Sequence, residues 1–195
     1  MSVALLFMVS ACSSPPQQEL DAALAAIKDA AAAGGEKYTA EDMKKLNDQI
    51  AAARDEMKVQ EAKWFKSYDK AKEMVVKAKA DADALKPKIA AKKEEAKKAA
   101  ADGLAAAKTA VEEAKALLVK APGGKESRAE IEAMKADVKG LEDGFAEVET
   151  LVKGEDYLGA VAKAKAINDK AVAISDQVKQ AMEKVAAAKK GKGKK

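Results

Sequence analysis

The stretch IEAMKADVKGLEDGFAEVETLV, residues 131–152, reads as one helix. Ile131, Met134, Val138, Leu141, Phe145, Val148 and Val152 recur at three- and four-residue intervals, which lays a clean apolar stripe along a single helical face. Downstream, Gly154 interrupts the stripe. Asp156 or Glu155 can start a final helix carrying Leu158, Val161, Ile167, Ile174, Val178, Met182 and Val185. Upstream lies APGGKES, residues 121–127, the strongest break in the chain. There Ser127-Arg128-Ala129-Glu130 has the form of a capping box.

Before that break the same periodicity continues. Leu104, Ala107, Val111, Ala114 and Leu118 mark one helix. Pro87 stands inside LKPKI (85–89) without turn residues around it, and Ile89 lies four beyond Leu85. A kinked helix and a sharp corner both fit, and the nearly continuous stripe favours the kink. Further back, Thr39 is placed to cap a helix with Glu41 and Asp42 in its first turn. Its stripe runs Met43, Leu46, Ile50, Ala53, Met57, narrows near Gln60, and continues through Trp64, Tyr68, Ala71, Val75, Ala78, Ala82 and Leu85. As a single kinked rod, residues 40–120 would span about 120 Å. The first helix, 17–33, carries Leu20, Ala23 or Leu24, Ile27 and Ala30, and stops at Gly34-Gly35.

The composition agrees with helices. The chain of 195 residues is 35% charged and 48% hydrophobic, the latter mostly alanine, with only 4% aromatic residues. Alanine, lysine and glutamate lose little side-chain freedom in a helix, whereas so few aromatics cannot fill a broad core. Thin helix–helix seams are expected instead. Short connections at 34–38, 121–126 and 153–155 favour antiparallel neighbours. The expected fold is therefore all-α, built of elongated antiparallel helical hairpins or a coiled-coil-like bundle. One hairpin covers 19–120 with its long helix kinked near Pro87, a second covers 127–188, and 189–195 forms a flexible basic tail. The turns Gly35-Glu36-Lys37-Tyr38 and Gly154-Glu155-Asp156-Tyr157 echo each other: glycine for the reversal, tyrosine to wedge the corner. Such turns also occur in tetratricopeptide-like hairpins, but the full 34-residue repeat pattern is absent.

The amino-terminal residues are of a different kind. Val3–Val9 is an apolar run far shorter than the roughly 20 residues a membrane span needs, and it has the size of a secretory leader. Val9-Ser10-Ala11-Cys12 resembles the bacterial lipobox, although no Lys or Arg precedes the run as in most lipoprotein leaders. The resemblance implies a signal peptide over 1–11, removed before Cys12, with diacylglyceryl on the Cys12 thiol and an N-acyl chain on the new amino terminus. Ser13-Ser14-Pro15-Pro16 breaks any helix and makes 12–18 a lipidated tether. Cys12 is the only cysteine, so no disulfide competes for it. In lipoproteins of Gram-negative cells, Ser13 after the cysteine implies the periplasmic face of the outer membrane.

A second resemblance is longer. Residues 19–85, from ELDAALAAIKDAAAAGGEKYTAEDMKKLNDQIAAA to WFKSYDKAKEMVVKAKADADAL, are similar to a family of small helical bacterial lipoprotein domains of unknown function. Its members share an alanine-spaced helix, an A-G-x-x-x-Y-[AT] turn and a helix with Y-x-x-A-x-x-x-[AV]. The matching positions here are Ala33, Gly34, Tyr38 and Thr39, then Tyr68, Ala71 and Val75. Relatives often have a lipobox before the domain, and some precede peptidoglycan-binding domains of the OmpA type. The resemblance implies a helical cell-envelope module.

Signs of catalysis are missing. The chain has no histidine, and no GxGxxG, P-loop, HExxH, CxxC or EF-hand spacing, so no enzymatic activity, metal or cofactor is expected beyond the lipid on Cys12. The neighbouring carboxylates Glu94-Glu95, Glu112-Glu113 and Asp81/Asp83 sit in lysine-rich helices, where solvated ion pairs account for them. Trp64, Tyr68 and Ala71 read as core, with Phe65 beside them as a contact for a partner helix or a lipid headgroup.

The net charge of +4 is concentrated at the carboxy end, in Lys189, Lys190, Lys192, Lys194 and Lys195. Without those five, 36 basic residues become 31 against 32 acidic ones. The tail suits contact with peptidoglycan or lipopolysaccharide, and terminal Lys195 resembles the wall-linked lysine of Braun-type lipoproteins. The expectation is a non-enzymatic, lipid-anchored spacer, scaffold or partner-binding module. The alternative is a cytoplasmic histone-like protein that binds nucleic acid through its tail, against which the balanced body and the lipobox both argue.

Overall fold

A computed structural model describes residues 14–121 and 128–192, with the backbone alone for 188–192. The protein is all-α, with no strand among the described residues. Its helices are α1 (Gln17–Ala32), α2 (Gly35–Tyr38), α3 (Ala40–Glu61), α4 (Asp69–Lys120), α5 (Arg128–Lys153) and α6 (Tyr157–Lys192). Two compact units divide at Lys92/Lys93, a position inside α4 rather than at the 121–127 break.

The first unit packs α1, α3 and the part of α4 up to Lys92. Its buried residues are those of the apolar stripes: Leu20, Ala23, Ile27 and Ala30; Met43, Leu46, Ile50, Ala53 and Met57; Ala71, Val75, Ala78, Ala82, Leu85 and Ile89. Polar pairs along the seams give the directions. Gln49 and Asp81 meet at 2.9 Å and Glu56 and Lys70 at 2.7 Å, so α3 and α4 run antiparallel. Glu19 meets Lys72 at 2.8 Å and Asp29 meets Lys86 at 3.4 Å, so α1 runs parallel to α4. Exposed pairs of this kind add little individually, and the apolar seam supplies most of the stabilisation at about 25 cal/mol per Å².

Residues 40–120 are thus not one rod. Between α3 and α4 the chain turns at 62–68, and Trp64, expected in the core, is 92% exposed. The turn contains no glycine or proline, which is why periodicity ran through it unchecked. Pro87, by contrast, makes no corner: α4 passes through it uninterrupted. Proline there removes one N–H from the ladder and leaves the Asp83 carbonyl without that donor, while Leu85 and Ile89 on either side stay buried.

The second unit packs α4 from Lys93 onward with α5 and α6. Lys108–Glu149 (3.3 Å) and Lys115–Glu142 (2.7 Å) make α4 and α5 antiparallel, and Glu147–Lys163 together with the approach of Gly144 to Ile167 does the same for α5 and α6. Val138, Leu141 and Val148 of α5 are buried, with Ile131, Met134, Phe145 and Val152 packed around them. On α6 the seam begins with Tyr157, Ala160 and Ala164, whereas Leu158 is 42% exposed. The small residues win that face because the helices approach closely there: a Cβ at Gly103 would stand 3.4 Å from that of Ala164.

The two echoing turns differ in detail and in place. The first joins the opening two long helices of its unit, the second the last two of its own. Gly34 has φ +105°, closing α1 with its N–H on the Ala31 carbonyl at 2.9 Å. Beyond it the chain forms the short helix α2 rather than a loop. The Thr39 hydroxyl does not cap α3 but donates back to the Gly35 carbonyl at 3.1 Å. In the second turn the left-handed residue is Glu155 (φ +58°), not Gly154. Asp156 N–H reaches the Leu151 carbonyl at 2.8 Å and Glu155 N–H the Val152 carbonyl at 3.1 Å, a Schellman closure. The Asp156 carboxylate then accepts the Gly159 N–H at 3.1 Å and caps α6. Ser127, the expected cap of α5, lies outside the described residues.

Candidate functional site

The candidate site is the end of the first unit where α1 begins and the 62–68 turn projects. Pro15 and Pro16 hold the chain out of a helix, and α1 starts directly after them, with Leu20 N–H on the Pro16 carbonyl at 3.0 Å. Ser14–Glu19 share a shallow surface hollow with Tyr68, Asp69 and Lys72. Tyr68, 4% exposed, closes the core beneath it. The Lys72 ammonium, hydrogen-bonded to Glu19, holds that carboxyl below the usual carboxylate range, and Lys72 is raised in return by the same contact.

The turn itself is clamped at its base. Gln60 occupies the next seam position after Met57 and is buried. Its amide donates to Glu56 at 2.8 Å, and its carbonyl oxygen accepts Ser67 N–H at 3.4 Å. Lys70 joins Glu56 from the other side, and this contact, with that from Gln60, lowers the Glu56 carboxyl. Ser67 Oγ donates to Asp69 at 2.9 Å. A polar residue thus ends the α3 stripe, and Lys63-Trp64-Phe65-Lys66 is pushed out with every side chain exposed, Phe65 at 88%. Sequence reasoning missed this projection. The signal was the polar Gln60 at a seam position, with two adjacent aromatics between lysines just beyond it.

The residues expected to carry function lie elsewhere. Cys12 is outside the described residues, as are Lys194 and Lys195. Lys189, Lys190 and Lys192 fall on the last turns of α6, which runs to Lys192 where a flexible tail was expected. Alanines 186–188 favour helix there, and lysines suit its carboxy-terminal end. The neighbouring carboxylates are ion-paired, as their lysine-rich setting suggested: Asp81 with Lys77, Asp83 with Lys79 and Lys86, Glu112 with Lys115, Glu94 with Lys97 at 4.0 Å. Hydrogen bonds from Lys77 and Gln49 lower Asp81, and those from Lys79 and Lys86 lower Asp83, the opposite of what a general acid at neutral pH requires. No group of three metal-ligating side chains is present among the described residues.

No family model, curated protein or solved structure matches this chain.

Proposed function

We propose that the protein is a non-enzymatic lipoprotein of the bacterial cell envelope. It is held through acyl chains on Cys12 at the periplasmic face of the outer membrane of a Gram-negative cell, and its helical units serve as a scaffold or partner-binding module. The observation that carries this reading is the order Val9-Ser10-Ala11-Cys12, then Ser13–Pro16, then helix from Gln17. An apolar run, a small-residue cleavage site, a lipidation cysteine, a short tether and a folded body stand in the order such an anchor needs. Two acyl chains give stable attachment where one is marginal. Among the described residues no helix is long and apolar enough to cross a membrane, so these helices would be held at a membrane surface. Lysines at the carboxy-terminal end of α6 would meet anionic envelope polymers.

Fractionation combined with intact-mass measurement tests the reading. The wild type should partition with membranes at a mass showing loss of residues 1–11 and gain of acyl chains, and Cys12→Ala should show neither change. A wild-type protein that is unmodified and free of membranes overturns it.

A further inference from the structure

We infer that the 62–68 turn is a second membrane contact, in which Trp64 and Phe65 enter the interfacial layer of the bilayer to which the chain is tethered. The inference extends the lipid-anchor reading by assigning a lipid surface as the occupant of this turn.

Three observations converge on it. First, Trp64 and Phe65 are adjacent, on a turn between two helices, at 92% and 88% exposure, while the core around Tyr68 is closed without them. Nothing in the fold of the unit uses these rings. Their exposure results from the clamp Glu56–Gln60–Ser67, which orders the base of the turn and leaves its tip in water. Secondly, Lys63 and Lys66 bracket the rings and are themselves exposed. Aromatic rings with lysines on either side match the interfacial layer, where the rings sit among headgroups and lysine stems lie along them with ammonium groups at phosphate level. Glu61 and Asp69 on the shoulders balance the two lysines, so the rings rather than net charge drive the contact, and neutral headgroups suffice.

The third observation selects a bilayer over a protein partner. Ser14–Glu19 line the same hollow as Tyr68, the last residue of the turn, and Asp69, the first of α4, and Glu19–Lys72 locks the two segments of chain together at 2.8 Å. Cys12 lies two residues before Ser14, a reach of at most ~7 Å. A lipid on Cys12 therefore holds this end of the unit at the surface, where the rings meet the bilayer at high effective concentration. The second contact then orients the unit, with α1, α3 and the start of α4 rising from the membrane.

Trp64 is the only tryptophan, so its emission reports this contact alone. The purified full-length protein is reconstituted into vesicles of phosphatidylethanolamine and phosphatidylglycerol whose acyl chains carry bromine, and the mass of the same sample gives the state of Cys12. The expected result is a blue-shifted emission, loss of most of its intensity relative to bromine-free vesicles, and protection from aqueous iodide. Lipid on Cys12 with Trp64 still open to iodide and unquenched by bromine overturns the inference and leaves the anchor intact. Bromine quenching with Cys12 unmodified keeps the contact and removes the anchor. A blue shift that grows with protein concentration in the absence of lipid assigns the turn to a second copy and overturns the inference.

Discussion

Glu19 Oε1 and Lys72 Nζ stand 2.8 Å apart and tie the first turn of α1 to the first turn of α4. The carboxylate is doubly suited to its place, since it also faces the positive end of the α1 dipole. Comparable pairs join α3 to α4, Glu56–Lys70 at this same end of the unit and Asp42–Lys88 further along it.

These pairs set the pH response. Lys72, Lys88 and Lys70 hold Glu19, Asp42 and Glu56 respectively below the usual carboxylate range. A carboxyl depressed in the folded state stabilises it above the unfolded value and loses that contribution as pH falls through the folded one. Lys72 and Lys86, raised by Glu19 and Asp83, contribute below their unfolded value and lose it at higher pH. The urea midpoint monitored by circular dichroism should be flat between about pH 5 and 9, fall below about pH 4 and fall again above about pH 10. A midpoint that holds steady into acid refutes the role of these contacts.

Gly35 and Gly140 should respond oppositely to alanine. At Gly35 a Cβ would lie 2.6 Å from Met43 Sδ and 2.8 Å from the Ala30 carbonyl oxygen, where backbone cannot yield cheaply. Gly35→Ala is expected to cost about 1–3 kcal/mol. Around Gly140, within α5, nothing lies inside 4 Å, and Gly140→Ala should gain about 0.5–1 kcal/mol from helix propensity. Thermal or denaturant unfolding decides both.

Tyr38 packs against the first core with its hydroxyl buried and unpartnered. Tyr38→Phe keeps the ring and removes a desolvated polar group. Stability should be unchanged or higher by up to about 1 kcal/mol, and a loss of that size would show the hydroxyl to be partnered in solution.

Ile89 is 1% exposed just beyond Pro87. Ile89→Ala should cost about 3 kcal/mol through lost burial and the cavity left behind. Val119→Ala, at a residue 84% exposed on the same helix, serves as the control and should stay within about 0.5 kcal/mol.

Much of this architecture was legible because one physical signal, apolar spacing, governs seams between long helices. The α3 stripe from Met43 to Met57 and the stripe that starts at Tyr68 and runs along α4 to Leu85 are buried residue for residue. The signal failed where it carried no information about direction. Trp64 and Phe65 lie in phase with or beside a stripe whether the chain runs on or turns back, and only Gln60, a polar residue at a seam position, marks the difference. Leu158 failed for another reason: on an alanine-rich helix the closest packing, not the largest side chain, chooses the buried face, and Tyr157, Ala160 and Ala164 took it. At the candidate site, Phe65 could be singled out as a contact but its setting could not, because the proximity of Ser14–Glu19 to Tyr68 exists only once α1 lies along α4.

The single tryptophan stands outside the core it was expected to fill. Its indole already meets water in the folded chain, so unfolding changes its surroundings little. A denaturation curve recorded by tryptophan emission would be nearly featureless for a protein that unfolds cooperatively, and could be mistaken for the trace of a chain that never folded.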